Sequence, residues 1–155
     1  METLKKDYLL SGIKVIDAAS FIAGPSAATI MSDYGAEVIK IEPQKRDSVK
    51  NLITKRRMPE GPENYCWELT SRNKKSVSLN LKDEKAHKIL IDLIKEADVF
   101  ITNMPFPIRK KLKITSEDIR PHNSKLIYAS LTGYGEVGPD ADRTAYDSVA
   151  WWARS

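Results

Sequence analysis

The residues best suited to chemistry lie near the end of the chain, in Leu131-Thr-Gly-Tyr-Gly-Glu-Val-Gly-Pro-Asp-Ala-Asp-Arg-Thr-Ala-Tyr-Asp147. Gly133, Gly135 and Gly138 are spaced as G-x-G-x-x-G and follow a short apolar run that reads as a strand. A dinucleotide site of that pattern also needs a helix opening on the third glycine and an acidic residue about twenty positions on. Pro139 and Asp140 follow Gly138 and delay any helix. The spacing therefore also fits a loop whose turns need positive φ, or a loop bordering some other ligand. A second stretch, Ser71-Arg-Asn-Lys-Lys75, stands directly before a strand. It offers three cations and main-chain donors to a phosphorylated or adenine-bearing ligand, or it is a solvated turn. Lys45-Arg46-Asp47 after another strand has the same two readings.

Other chemistries are not legible. No Ser/His/Asp or Cys/His arrangement follows from spacing, and no two carboxylates stand out as an acid/base couple. His87, His122 and Cys66 lie far apart without ligand spacing, so no metal is expected. Cys66, the single cysteine, sits between Tyr65 and Trp67 and reads as a packing residue. One cysteine allows no internal disulfide and suits a reducing cytoplasm. No apolar run approaches the roughly 20 residues that span a bilayer, and the first ten residues hold too short an apolar run for a signal peptide. Of 155 residues, 41% are hydrophobic and 30% charged, which is a globular composition. The net charge of +4 is clustered, as at Lys55/Arg56/Arg57 and Arg109/Lys110/Lys111/Lys113. Such clusters attract phosphates of a cofactor or of nucleic acid, or are ordinary solvated surface.

The elements that must position these residues alternate. Ile13–Asp17 reads as a first strand. A helix with Pro25 at its start and Ala27, Ala28, Ile30, Met31 and Tyr34 as its apolar face follows, and Gly35 stops it. Glu37–Ile41 is a second strand, which makes the size of a βαβ unit. Residues 42–64 form a charged, proline-bearing loop. Ser76–Asn80 is a third strand, and 83–97 the clearest helix, with Ala86, Ile89, Leu90, Leu93, Ile94 and Ala97 at i, i+3, i+4, i+7 spacing. Asp98–Thr102 is the next strand. A basic helix over Ile108–Leu112, a short one from Ser116, and a strand over Leu126–Ser130 complete the pattern. The fold class is α/β, a mostly parallel, Rossmann-like sheet with helices on both faces. Ligands of such sheets bind beyond the carboxyl ends of the strands, here the loops after Asp17, Ile41 and Ser130.

Together these segments resemble the start of the family III CoA-transferases, the formyl-CoA and carnitine CoA-transferase relatives that include the α-methylacyl-CoA racemases. The resemblance lies in Leu10-Ser-Gly-Ile-Lys-Val-Ile-Asp17, Ala23-Gly-Pro25, Tyr34 to Glu42, Asn73 to Leu81, Ala97 to Ile101, and Leu131-Thr-Gly-Tyr-Gly through Pro139 to Tyr146-Asp147. It implies that residues 1–155 are the N-terminal part of a CoA-binding large domain. It implies coenzyme A as co-substrate, acyl-CoA and carboxylic acid substrates, no nucleic acid or membrane partner, and an interlocked homodimer. The reaction implied is CoA transfer through an aspartyl-CoA intermediate. Its aspartate lies in a Gly-Asp pair farther along, so the segment is expected to stop short of the nucleophile, to be inactive by itself, and to contain no catalytic residue.

The same resemblance puts Arg72, Asn73, Lys74 and Lys75 at the adenine and phosphate end of CoA, and Tyr146 with Gly135 at the acyl pocket. The racemase branch has His where this chain has Tyr146, and a phenol is a poorer proton carrier than imidazole near neutral pH. Transferase is therefore favoured over a racemase-type isomerase or a non-catalytic nucleotide-binding module. Ile22 replaces an active-site glutamine of the formyl-CoA branch, and Pro43 replaces a CoA-contacting arginine. Arg46, Lys110 and Lys111 are then further candidates to contact CoA.

Overall fold

The computed structural model describes residues 8–44, 61, 63–143, 145–146 and 151–152. Five parallel strands form one sheet: β1 (Lys14–Asp17), β2 (Glu37–Glu42), β3 (Lys75–Ser78), β4 (Val99–Thr102) and β5 (Ile127–Ser130), in the order β3-β2-β1-β4-β5. The register sets Ile16 beside Ile39 and Phe100, and Ile101 beside Ala129. β1 and β4 are adjacent although β4 comes late in the chain, so the winding reverses between them. That is the α/β class expected, and the crevice at such a reversal is where ligands enter.

Strands buried on both faces read as continuous apolar runs, which is why they are legible. On one face Val15, Val38, Val99 and Ile101 pack with Ala28 of helix α1 (Ala23–Asp33). On the other, Ile16, Ile41 and Phe100 pack with Leu90, Ile91 and Ile94 of α3 (Glu84–Lys95), and with Ile114 and Ile119. Asp83 caps α3 by accepting from the backbone N–H of Lys85 and Ala86. Ile119 ends α5 (Ser116–Ile119). Thr115 and Asp118 exchange bonds as its capping box, so Thr115 is the cap of the helix expected from Ser116.

Several local expectations are corrected. α1 begins at Ala23, with Pro25 inside the first turn, where its missing N–H costs nothing. Its buried residues are Gly24, Pro25, Ala28, Thr29 and Ser32, whereas Ile30 and Tyr34 are about half exposed. Small residues let this helix lie close to the sheet, and Thr29 and Ser32 return their hydroxyls to the carbonyls of Pro25 and Thr29. On α3 the buried residue is Ile91, not Ile89. Helix α2 (Tyr65–Ser71), capped by Asn64, was not expected, and β3 starts at Lys75 rather than Ser76. The basic helix is α4 (Phe106–Lys111), with Pro107 in its first turn. Residues 45–60 of the charged loop lie outside the described residues.

Candidate functional site

Asp17 ends β1 fully buried, and an ionised carboxylate there must be paired. Lys74 supplies the charge: its Nζ donates to Asp17 Oδ2 at 2.8 Å, to the Pro25 carbonyl at 2.7 Å and to the Thr70 carbonyl at 2.7 Å. Its side chain is 1% exposed. Burial pushes the Lys74 ammonium below its usual range, and the Asp17 carboxylate opposes that shift. Lys40 of β2 comes in from the other side, with Nζ 3.9 Å from Asp17 Oδ2 and donating to the Ala19 carbonyl at 3.0 Å. Asp17 Oδ1 accepts from the Ala19 N–H at 3.1 Å. The start of the loop after β1 is thus tied to β2, α1 and α2 by one buried charge cluster.

The same loop is tied across the reversal point. Ser20 N–H donates to Asn103 Oδ1 at 2.8 Å, and Asn103 Nδ2 donates back to the Ser20 carbonyl at 2.7 Å. Next to this clasp Phe21 has φ 61°, a conformation bulky side chains rarely adopt. Such strain persists only where its surroundings fix it, and it clusters at ligand clamps. The Phe21 ring meets Tyr146 edge-on, with centroids 6.4 Å apart. Ile22 beside it is 61% exposed.

The third wall is the glycine-rich loop. Leu131 N–H donates to the Thr102 carbonyl at 2.9 Å, which carries the β4–β5 ladder into the loop. A side chain at Gly133 would collide with Ala145, so the returning chain lays the Ala145 methyl against the bare Gly133 backbone. Gly135 has φ 93° and its N–H donates to Thr132 Oγ1 at 2.9 Å. Glu136 accepts from Ser130 Oγ at 2.5 Å and pairs with Arg109 Nη2 at 2.6 Å. The Ser130 bond first, then Arg109, holds the Glu136 carboxyl below the ordinary glutamate value. The edge-on Phe21–Tyr146 pair, with exposed Ile22 next to Phe21 in the chain, thus stands among the loops beyond the carboxyl ends of the strands.

Of the residues singled out from sequence, Gly135 and Tyr146 share this loop cluster. The Arg72–Lys75 turn does not converge on it. Arg72 Nη2 and Asn73 Nδ2 both bind Asp33, at 2.6 and 2.8 Å, and Arg72 in particular holds that carboxyl below its usual range. Asp33 ends α1, which runs back from the carboxyl edge, so these two side chains lie toward the edge where strands begin. Lys75 is exposed and pairs with Glu37 at 2.6 Å. Lys74 lies inside, on Asp17. Lys40, Trp67, Ser71 and Lys74 line a cavity of about 370 Å³ between α2 and the sheet. Lys110 and Lys111 are exposed on α4, and Arg46 lies outside the described residues. Sequence reasoning missed Asp17, Lys40, Asn103 and Arg109. The one available signal is a charge inside an apolar strand, as in Val38-Ile-Lys40-Ile, which demands a partner.

Among the described residues no group of three or more His, Cys, Asp or Glu converges as a metal site, and no helix is long and apolar enough to cross a membrane. Comparison with known proteins agrees with the architecture. The chain is 40% identical over 147 residues to (R)-2-hydroxy-4-methylpentanoate CoA-transferase of Clostridioides difficile, covering 94% of this chain and 37% of that protein. It is 41% identical over 147 residues to cinnamoyl-CoA:phenyllactate CoA-transferase of Clostridium sporogenes, covering 94% and 36%. The chain therefore spans little more than a third of the curated relatives it matches. The crystal structure of a CAIB/BAIF family protein from Brucella suis superposes with a TM-score of 0.83 at 29% identity, covering 92% of this chain and 38% of that one. That of Rv3272 from Mycobacterium tuberculosis gives 0.81 at 32% identity, covering 92% and 39%. The profile for CoA-transferase family III matches residues 10–155, and the chain belongs to that family.

Proposed function

We propose that the whole protein transfers coenzyme A between carboxylic acids. The family match over residues 10–155 carries this reading. The exposed apolar side chains of Phe21, Ile22 and Tyr146 support it, because they offer an acyl chain an apolar surface. The nucleophile is an aspartate of a Gly-Asp pair outside these 155 residues. It attacks the thioester carbonyl and expels CoA thiolate, giving a mixed anhydride. The thiolate then attacks the aspartyl carbonyl and releases the first acid. The acceptor carboxylate takes the aspartyl group from sulfur, and thiolate attack on its carbonyl yields the new acyl-CoA and regenerates the aspartate. Dividing one exchange into such steps is covalent catalysis.

In this reading residues 1–155 are the N-terminal part of the CoA-binding domain, inactive alone and completed in an interlocked homodimer. Arg72, Asn73, Lys75 and Arg46 take the nucleotide end of CoA, with Lys74 held inside on Asp17. CoA must then reach from the carboxyl-end loops toward the edge where the strands begin, and compete with Asp33 and Glu37 for those side chains. A reducing cytoplasm suits the single cysteine. Two relatives are named for branched or aromatic acids, and apolar side chains such as Phe21 and Tyr146 suit such acids. The test is to incubate the whole protein with cinnamoyl-CoA and phenyllactate and to follow phenyllactyl-CoA by mass spectrometry. Hydroxylamine should trap the aspartyl thioester. Exchange of an α-proton of the acyl-CoA with solvent deuterium, without CoA transfer, would overturn the proposal in favour of an isomerase.

A further inference from the structure

We propose that Arg109 and Glu136 form an internal latch that positions the glycine-rich loop and, through it, Tyr146 against Phe21. Only the functional half of this inference rests on the CoA-transfer reading. Arg109 opens a run of three basic residues on α4, yet it differs from its neighbours: Lys110 and Lys111 are exposed, and Arg109 is 2% exposed. A buried guanidinium needs acceptors. Tyr128 donates its own hydroxyl proton to the Ile114 carbonyl at 3.0 Å, so its oxygen is left to accept from Arg109 Nη1 at 3.2 Å. Phe106 presents its ring 5.4 Å from the guanidinium carbon. The cation is therefore fixed from the core side, and its charge is met from the loop side by Glu136 at 2.6 Å.

Glu136 is nearly half exposed, and nothing in its own segment demands that it turn inward. The loop around it is permissive, because Gly135 and Gly138 have φ of 93° and 107°. A permissive loop takes one position only when something holds it, and Arg109 with Ser130 does so. From there the contacts run outward. Gly133 lies against Ala145, Tyr146 follows, and its ring meets Phe21 at the strained turn after β1. Arg109 is thus a positioning residue that acts on the Phe21–Tyr146 pair from the sheet face carrying α3 and Tyr128.

The experiment compares Glu136→Gln, Arg109→Met and Arg109→Lys in the whole protein by amide hydrogen exchange and steady-state kinetics. Exchange over residues 131–138 should rise about tenfold in Glu136→Gln, with residues 99–102 of β4 unchanged as the internal control. Arg109→Lys should restore part of the protection lost in Arg109→Met, because one ammonium cannot bridge Tyr128 and Glu136 together. With cinnamoyl-CoA and phenyllactate, KM for the acid should rise about fivefold while kcat changes less, as expected when a wall is displaced but the reacting groups remain. Unchanged loop exchange in Glu136→Gln overturns the latch, as does a rise that spreads equally into β4. A loosened loop with unaltered KM overturns its link to the Phe21–Tyr146 pair. Absence of CoA transfer by the parent protein overturns the proposed function, and the exchange measurement still decides the latch. If Arg109→Met fails to fold, Glu136→Gln at the exposed partner carries the test.

Discussion

Two adjacent lysines show how little residue type says about role. Lys74 and Lys75 stand side by side, but consecutive residues entering a strand point to opposite faces. Lys74 goes inward to Asp17, and Lys75 outward to Glu37. The Lys75 pair is exposed and screened by water, so Lys75→Met should change stability by less than about 1 kcal/mol. Lys74→Met leaves the buried Asp17 carboxylate with Lys40 at 3.9 Å and the Ala19 N–H. Removing one partner of a buried pair costs about 3–5 kcal/mol, and the remaining partners put this case near the lower end. Urea unfolding of the two variants checks the contrast, and equal midpoints would show that the buried cluster is not structural. Neither assignment was readable beforehand, since Lys74 and Asp17 are 57 positions apart and nothing local marks them as partners.

At the scale of elements, what was legible followed from burial. β4 is buried along its whole length and β1 and β2 along most of theirs, and α3 combines a capping Asp83 with a wide apolar face. Asp83→Ala removes the acceptor for two N–H groups, so it should cost about 0.5–2 kcal/mol, read as a lower thermal midpoint. A loss no greater than that of an exposed mid-helix change such as Lys88→Ala would show that the cap contributes nothing. The misreadings are equally physical. On α1 the apolar pattern includes Ala28 and Met31, which do face the core, but also Ile30 and Tyr34, which are half exposed. It passes over Gly24 and Ser32, which close approach to the sheet buries. α2 is seven residues long, too short for a period of 3.6 to declare itself. The glycine-rich loop was recognised as a ligand-side element because glycine spacing is local. Its anchor, Arg109, cannot be told in sequence from the basic run it opens, because only tertiary contacts distinguish it from Lys110.

At the scale of the molecule, several cations among the described residues pair with carboxylates. Lys14 bonds Glu96, Arg72 bonds Asp33, Lys75 bonds Glu37, Lys95 bonds Asp92, and Arg109 bonds Glu136. Four of these acids, Asp33, Glu37, Asp92 and Glu136, have carboxyls held below their ordinary values of 3.8 for Asp and 4.5 for Glu. The leading causes are bonds from Arg72, Lys75, Lys95 and Ser130 respectively. A depressed folded value means that the unfolded chain binds protons more readily than the folded one, so stability rises with pH across the interval between the two. The contribution is complete above the ordinary values and is lost as pH falls through the lowered ones. The melting temperature should therefore be level above about pH 5 and decline steadily below about pH 4.5. Concentrated salt should shrink the share of Asp33, Glu37 and Asp92, because screening acts on exposed pairs, and should spare more of the share of Glu136, whose cation is buried. Glu136→Gln should then flatten the part of the decline that survives high salt. A melting temperature indifferent to pH between 5 and 3, or a Glu136→Gln profile that superposes on the parent in high salt, would show that these pairs do not couple charge to folding.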